Sequence, residues 1–162
     1  MEIREIHDEE FQTVGELAVA AYRAVPGMQR HHDHIEELRD IATRVQHNSI
    51  YVAVLDGRIA GCVTYVPDST SPLAEFSDLE AAAIRALAVD PCFHRRGVGR
   101  RLTEHCIAEA RRRGKARLVL HTTDELTSAH ALYRSMGFQR APELDFLDGD
   151  VTLTAYAYST RP

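Results

Sequence analysis

The densest chemistry of the 162-residue chain lies between Ala82 and Arg113, above all from Leu87 to Arg100. Gly97 and Gly99 stand among Arg95, Arg96, Arg100 and Arg101. In the run that follows, Val98, Leu102, Cys106 and Ala110 recur every fourth residue, the spacing of one helix face. Glycines let a backbone approach an anion closely, and the first turn of a helix offers N–H groups with no internal partner. Arginines add charge that pairs with phosphate oxygens. Ahead of the turn, Ile84 to Val89 is apolar apart from Arg85, and Asp90-Pro91 ends it because proline cannot donate to a sheet ladder. Strand, glycine turn and helix start together make a seat for a phosphate-bearing ligand. A nucleotide P-loop is excluded: Gly114-Lys115 is followed by Ala116, and Glu109 stands where the first glycine belongs. The dinucleotide fingerprint also fails, with Leu102 in the place of its third small residue.

The elements that must position this stretch follow in order. Ile3 and Ile6 mark an opening strand, and Asp8 is placed to cap a helix carrying Phe11, Val14, Leu17, Ala18, Ala21 and Tyr22. Pro26-Gly27 breaks it. A second helix begins near Asp33, with Ile35, Leu38, Ile41, Ala42 and Val45 on one face. Between them, His31-His32-Asp33-His34 reads as a solvated loop, since adjacent histidines point apart and no second pair stands at ligand spacing. Ser49–Leu55 and Arg58–Val66 form a hairpin through Asp56-Gly57. Residues 67–80 are an irregular connection, either a wall of a substrate site or a plain connector. After Gly114 come a strand, Arg117–Thr122, and a short helix from Thr127 or Ser128 to Met136. The tail is β again, Phe138–Ala141 and Val151–Tyr158.

Composition fits one globular domain over residues 1–162, with 44% hydrophobic and 27% charged residues. The net charge of −5 disfavours nucleic-acid binding. No apolar run has membrane-spanning length. Three cysteines, Cys62, Cys92 and Cys106, form no metal motif and point to a reducing, cytoplasmic setting.

Leu87, Val89, Pro91, Gly97 and Gly99 resemble the acyl-CoA loop of the GCN5-related N-acetyltransferases, the GNAT family. There a strand ending Leu-x-Val-x-Pro precedes Arg or Gln, two residues, Gly, one residue, and Gly or Ala. His94 occupies the Arg/Gln slot. Ala129 to Phe138 resembles the family's Ala-x-x-Leu-Tyr-x-x-x-Gly-Phe helix, about thirty residues on. The resemblance implies an α/β (α+β) fold: a mixed, mostly antiparallel sheet of about seven strands, flanked by four helices and splayed between the fourth and fifth strands. It implies acetyl-CoA as co-substrate, no metal, and direct transfer of the acetyl group to a primary amine of a small molecule or protein. Cys92 is not where the family uses a covalent nucleophile.

By the same resemblance, Leu87, Ala88 and Val89 hold the pantetheine arm and thioester, and the loop His94, Arg95, Arg96, Gly97, Val98, Gly99 and Arg100 takes the pyrophosphate. Ser128 stands where an Asn often touches the cofactor, and Tyr133 is the general acid for the leaving thiolate. Ala83 holds the slot of a family glutamate, so Glu80 or His121 is the candidate base. Loops 24–34 and 67–80 frame the acceptor, with Asp68, Glu75, Asp78 and Glu80 drawing in a cationic amine. The final strand is a possible edge for a homodimer. A non-catalytic acyl-CoA sensor on the same fold is the alternative, and Tyr133 argues against it.

Overall fold

The computed structural model describes residues 1–162. Strand β1 (Glu2–Glu5) leads into helix α1 (Phe11–Arg23). The turn between them is closed by Glu10, whose carboxylate accepts the His7 N–H at 2.9 Å, rather than by Asp8. The single helix expected from Asp33 onward is two: α2 (His32–Glu37) and α3 (Ile41–Arg44). Asp40 causes the break, its side chain accepting the Thr43 N–H at 3.1 Å and starting a new helix. Ile35, Leu38 and Ile41 are still all buried, so the apolar stripe survives the break.

The hairpin β2 (Ser49–Leu55) and β3 (Arg58–Val66) leads through the irregular 67–80 connection to β4 (Ala81–Val89). Then come α4 (Val98–Arg112), β5 (Arg117–Thr122) and α5 (Thr127–Ser135). The tail forms β6 (Gln139–Arg140), β7 (Phe146–Asp148) and β8 (Val151–Ser159). The sheet runs β1-β2-β3-β4-β5-β8-β6, with β7 also on β8. Only β4 and β5 pair in parallel. The mixed α/β sheet is as expected, with eight strands and five helices where about seven and four were anticipated. The extra strand is β7, a three-residue arm too short to show a period. β8 is no free edge: Ala157 faces Val119 of β5 on one side and Gln139 of β6 on the other. A homodimer through that edge loses its physical basis.

Two apolar layers sandwich the sheet. Tyr51, Ala53, Val63, Tyr65, Ala82 and Ile84 pack against Val98, Leu102, Cys106 and Ala110 of α4. Ile50, Val52, Cys62 and Ala88 pack against Val14, Ala18 and Val19 of α1 and Ile41 of α3. Strand alternation assigns neighbours to opposite faces, yet Ile84 and Ala88, both even-numbered, lie in different layers. A β-bulge explains it. Thr64 faces Arg85 and Cys62 faces Ala88, so Ala86 and Leu87 together oppose Val63. Ala86 has φ +53°, a left-handed conformation unusual for a residue with a Cβ. The bulge turns Leu87 and Val89 toward the α4 side, where both pack on that core.

Candidate active site

Strands β4 and β5 pair from Ala81↔Arg117 to Ile84↔Leu120 and then part. Beyond that point β5 continues against β8 through His121 and Thr122, while β4 enters its bulge. The fork opens a cavity of about 590 Å³ on the α4–α5 side and one of about 310 Å³ on the α1–α3 side. Tyr22, Ile84, Arg85, Ala86, His121 and Thr122 border both, so the two spaces meet where the strands separate.

The larger cavity gathers the expected donor-side residues. Leu87, Ala88, Val89, His94, Arg95, Gly97, Val98, Gly99, Arg100, Ser128 and Tyr133 all line it. Arg96 is the exception: it pairs with Asp56 at 2.9 Å and lies over the Phe93 ring, 5.5 Å from its centroid. His94 donates from Nε2 to the Val89 carbonyl at 3.3 Å, tying the loop to the strand end. Arg95 (φ +61°) and Gly97 (φ +78°) curl the backbone into a concave turn at the start of α4. N–H groups in such a turn, with those of the first helical turn, converge on one point and favour an anion. Gly99 packs closely: a Cβ there would stand 3.3 Å from Leu132 Cδ2 of α5, so that methyl would have to give by a few tenths of an ångström.

Tyr133 is buried against Phe138, with ring centroids 5.4 Å apart, and against Tyr156. Burial pushes its phenol well above the usual tyrosine range, so it keeps its proton at neutral pH. A buried, protonated phenol facing the cavity is equipped to give a proton to a leaving group.

The smaller cavity is built from side chains. Glu75, from the 67–80 connection, lies between Arg85 (2.8 Å) and Nδ1 of His121 (3.3 Å). Arg85 also donates to the Leu73 carbonyl at 3.2 Å, strapping the connection to β4. His121 donates from Nε2 to the Leu144 carbonyl at 2.8 Å, which leaves Nδ1 as its exchangeable position. Partial desolvation of the half-exposed His34, and then the Arg85 charge, lower it below the ordinary histidine value. Burial pushes the Tyr22 hydroxyl up to about 12.

Of the two candidate bases, only His121 reaches the site. Glu80 sits before β4, exposed and paired with Arg161 at 3.0 Å. The bulge comes after Ala83, so it does not swing Glu80 inward. Asp78 is taken by Arg117 at 2.8 Å, and Asp68 folds back on Thr70. Of the four acids expected to attract an amine, Glu75 alone lines either of these two cavities. His31 is buried, not solvated, with Nε2 3.3 Å from Glu125. Arg44 was missed, although it shares a face with Ile41 three residues earlier, a spacing that places it inward.

A parallel strand pair that parts halfway, beside an amide-lined turn at the end of one arm, defines the acyl-CoA N-acyltransferase class of α/β fold. The model of the acetyltransferase (GNAT) family matches residues 2–138, and the chain belongs to that family. The Escherichia coli (strain K12) [ribosomal protein bS18]-alanine N-acetyltransferase is 44% identical over 63 residues, 39% of this chain and 43% of that protein. The chain thus matches less than half the length of this curated relative. A GNAT-family acetyltransferase from Staphylococcus aureus Mu50 superposes with a TM-score of 0.78 at 16% identity, covering 99% of both chains. The structure of yncA from Salmonella typhimurium with its cofactor acetyl-CoA superposes with a TM-score of 0.68 at 19% identity, covering all of this chain and 95% of that one. No helix is long and apolar enough to cross a membrane.

Proposed function

We propose that the protein is an N-acetyltransferase that moves an acetyl group from acetyl-CoA directly to a primary amine. One observation carries this: the sheet fork, the anion-holding turn and the protonated Tyr133 open onto a single cavity that meets a second one. The pyrophosphate rests on the amides from Arg95 to Arg100, and the pantetheine arm lies along Leu87 to Val89, whose β5-facing edge is unpaired. The thioester then reaches the wall common to both cavities. A backbone N–H oriented before charge develops stabilises the oxyanion, and Val89 is the residue assigned to that role.

The neutral amine attacks the thioester carbonyl, a C–N bond forms and the C–S bond breaks. Tyr133 gives its proton to the departing sulfur, and the surplus proton left on the attacking nitrogen restores the phenol. An alkylamine near pKa ~10.4 costs roughly 4–5 kcal/mol to deprotonate at pH 7, so its proton needs a destination. The Glu75–His121 pair, with Glu75 Oε2 3.3 Å from Nδ1 of His121, takes it. The curated relatives act on an amino group, which agrees with an amine acceptor.

The test is the melting temperature with acetyl-CoA, with ATP and NAD as controls, followed by thiol release with an amine panel. Ligand at ~100 times its dissociation constant stabilises by about 2.7 kcal/mol, roughly 5–10 °C for a chain of this size. A rise with acetyl-CoA alone and amine-dependent thiol release are expected. No rise at saturating acetyl-CoA sinks the proposal, and a rise without release on any amine turns it into the sensor.

A further inference from the structure

The smaller cavity holds a cation that the acetyl-transfer scheme does not use. Arg44 is only 8% exposed and borders the cavity. Of its five donors, Nη2 gives a single long hydrogen bond, 3.3 Å to the Glu37 carbonyl. The acids bordering the same cavity form no ion pair with Arg44. Asp40 caps α3 through the Thr43 N–H and acts on Arg44 only as a more distant charge, Glu37 is exposed, and Glu75 is held by Arg85. Burial first, and the like charge of Arg85 as well, lower the guanidinium below its ordinary value. A buried guanidinium left without a counter-ion normally finds one, because desolvation makes the unpaired charge costly.

A second group is also unused. Thr122 Oγ1 is buried without a hydrogen-bond partner. Thr122 borders both cavities, while Arg44 borders only the smaller one. Residues with unpaired polar atoms therefore border both the space where the thioester is delivered and the chamber beyond it. The volume of about 310 Å³ falls at the small end of ligand-sized pockets.

Resting on the acetyl-transfer reading, we propose that the acceptor is a small amine that also bears a carboxylate, an amino acid in chemical class. Its amine sits at the wall beside Thr122 and its carboxylate pairs with Arg44. Guanidinium and carboxylate form two parallel charge-assisted hydrogen bonds, a geometry that lysine or a neutral side chain does not reproduce. Arg85 adds positive field but is already neutralised by Glu75.

The experiment compares free amino acids with their carboxamides as acceptors, by acetyl-CoA-dependent thiol release. Amino-acid binding is also measured by calorimetry without acetyl-CoA. The expected result is a kcat/KM roughly 10- to 100-fold higher for the acid than for its amide, as for a hydrogen-bonded charge. Arg44→Met then lowers the acid to the level of its amide, and Arg44→Lys retains part of the preference. The acetyl-CoA melting shift in each variant reports that it is folded. Equal rates for acid and amide in the unaltered protein overturn the proposal, as does a preference that survives Arg44→Met. If only a peptide amine is consumed, this proposal falls while the acetyl-transfer reading stands. Loss of the acetyl-CoA shift and of all thiol release removes that reading instead, and absence of calorimetric amino-acid binding then removes this one separately.

Discussion

The two sides of the sheet fork are made of different materials. On the α4–α5 side the polar groups offered to a ligand come mainly from backbone, at the bulged end of β4, the turn through Gly97 and the first turn of α4, set among apolar side chains such as Val25, Leu126 and Leu132. On the α1–α3 side it is side chains drawn from separate segments: His34 and Arg44 from the short helices, Glu75 from the 67–80 connection, Arg85 from β4 and His121 from β5. A backbone surface serves whatever side chains the chain carries, and it suits a donor whose phosphates and amides are constant. A side-chain surface is redrawn by single substitutions, and it suits an acceptor that differs between proteins. His94 illustrates the first case. It fills a slot described for Arg or Gln, yet it ties the loop to Val89 and leaves the amides in place.

The largest expected effect sharpens this contrast at its one exception, the side chain that acts on the donor side. Tyr133→Phe removes a proton donor without emptying the wall. We expect kcat to fall by about 100-fold, in the range for loss of a positioned general acid. The melting shift with acetyl-CoA should be retained, since the ring still packs on Phe138. Turnover within a few-fold of the unaltered enzyme would show that the thiolate leaves without this proton, making the donor side wholly a backbone device.

The same division governs what the sequence reveals. Gly97, Gly99 and Pro91 are backbone instructions written at fixed spacing, so the donor side is legible, as are the hairpin at Asp56-Gly57 and the helix from Val98. The acceptor side is assembled by tertiary packing, and spacing says little about it. Arg44 falls three residues after Ile41 on the inward face, but that interval does not say which cavity it borders. His31 reads as solvated until Glu125 arrives from ninety-four residues away. The bulge at Ala86 was likewise invisible, because alanine carries no signal for positive φ. Glu80 lies near the start of β4 but has the opposite alternation parity to position 83, and the bulge falls too late in the strand to change that.

Acid titration gives a smaller effect that separates the two sides. Glu109 on α4 is held down to about 2 by hydrogen bonds from Arg112, then Arg113, against the opposing effect of burial. For Glu125 burial is the strongest single influence and acts upward. Polar groups around it, its own backbone N–H, Thr123 and His31, with the Arg30 charge, together outweigh it and hold the group at about 2. Both carboxyls lie below the unfolded value of 4.5, so their stabilisation is complete above that pH and drains away as pH falls toward 2. Glu109→Gln and Glu125→Gln should each reduce the drop in melting temperature between pH 6 and pH 3. Only Glu125→Gln should also raise the acceptor KM, because it releases His31, which borders the smaller cavity. An equal change in acceptor KM from Glu109→Gln would break the division.

The smallest expected effect comes from the residue on which both sides depend. Ala86 holds φ +53° with a Cβ, at a cost of roughly 1–2 kcal/mol. Ala86→Gly removes that strain but adds about 0.5–1 kcal/mol of unfolded-chain freedom, so the two nearly cancel. The net change should stay within about 1 kcal/mol, a melting shift of no more than roughly 4 °C. Acetyl-CoA stabilisation and turnover should persist, since the bulge is a backbone conformation that glycine adopts freely. Ala86→Val should behave oppositely, because a β-branched residue at positive φ is a severe outlier. It pushes the strand back toward regular pairing, turning Leu87 and Val89 away from the α4 side and reducing acetyl-CoA stabilisation. If glycine also lost that stabilisation, the methyl group of Ala86 rather than the bend would be positioning the donor. The α4–α5 side would then be a side-chain site like its neighbour.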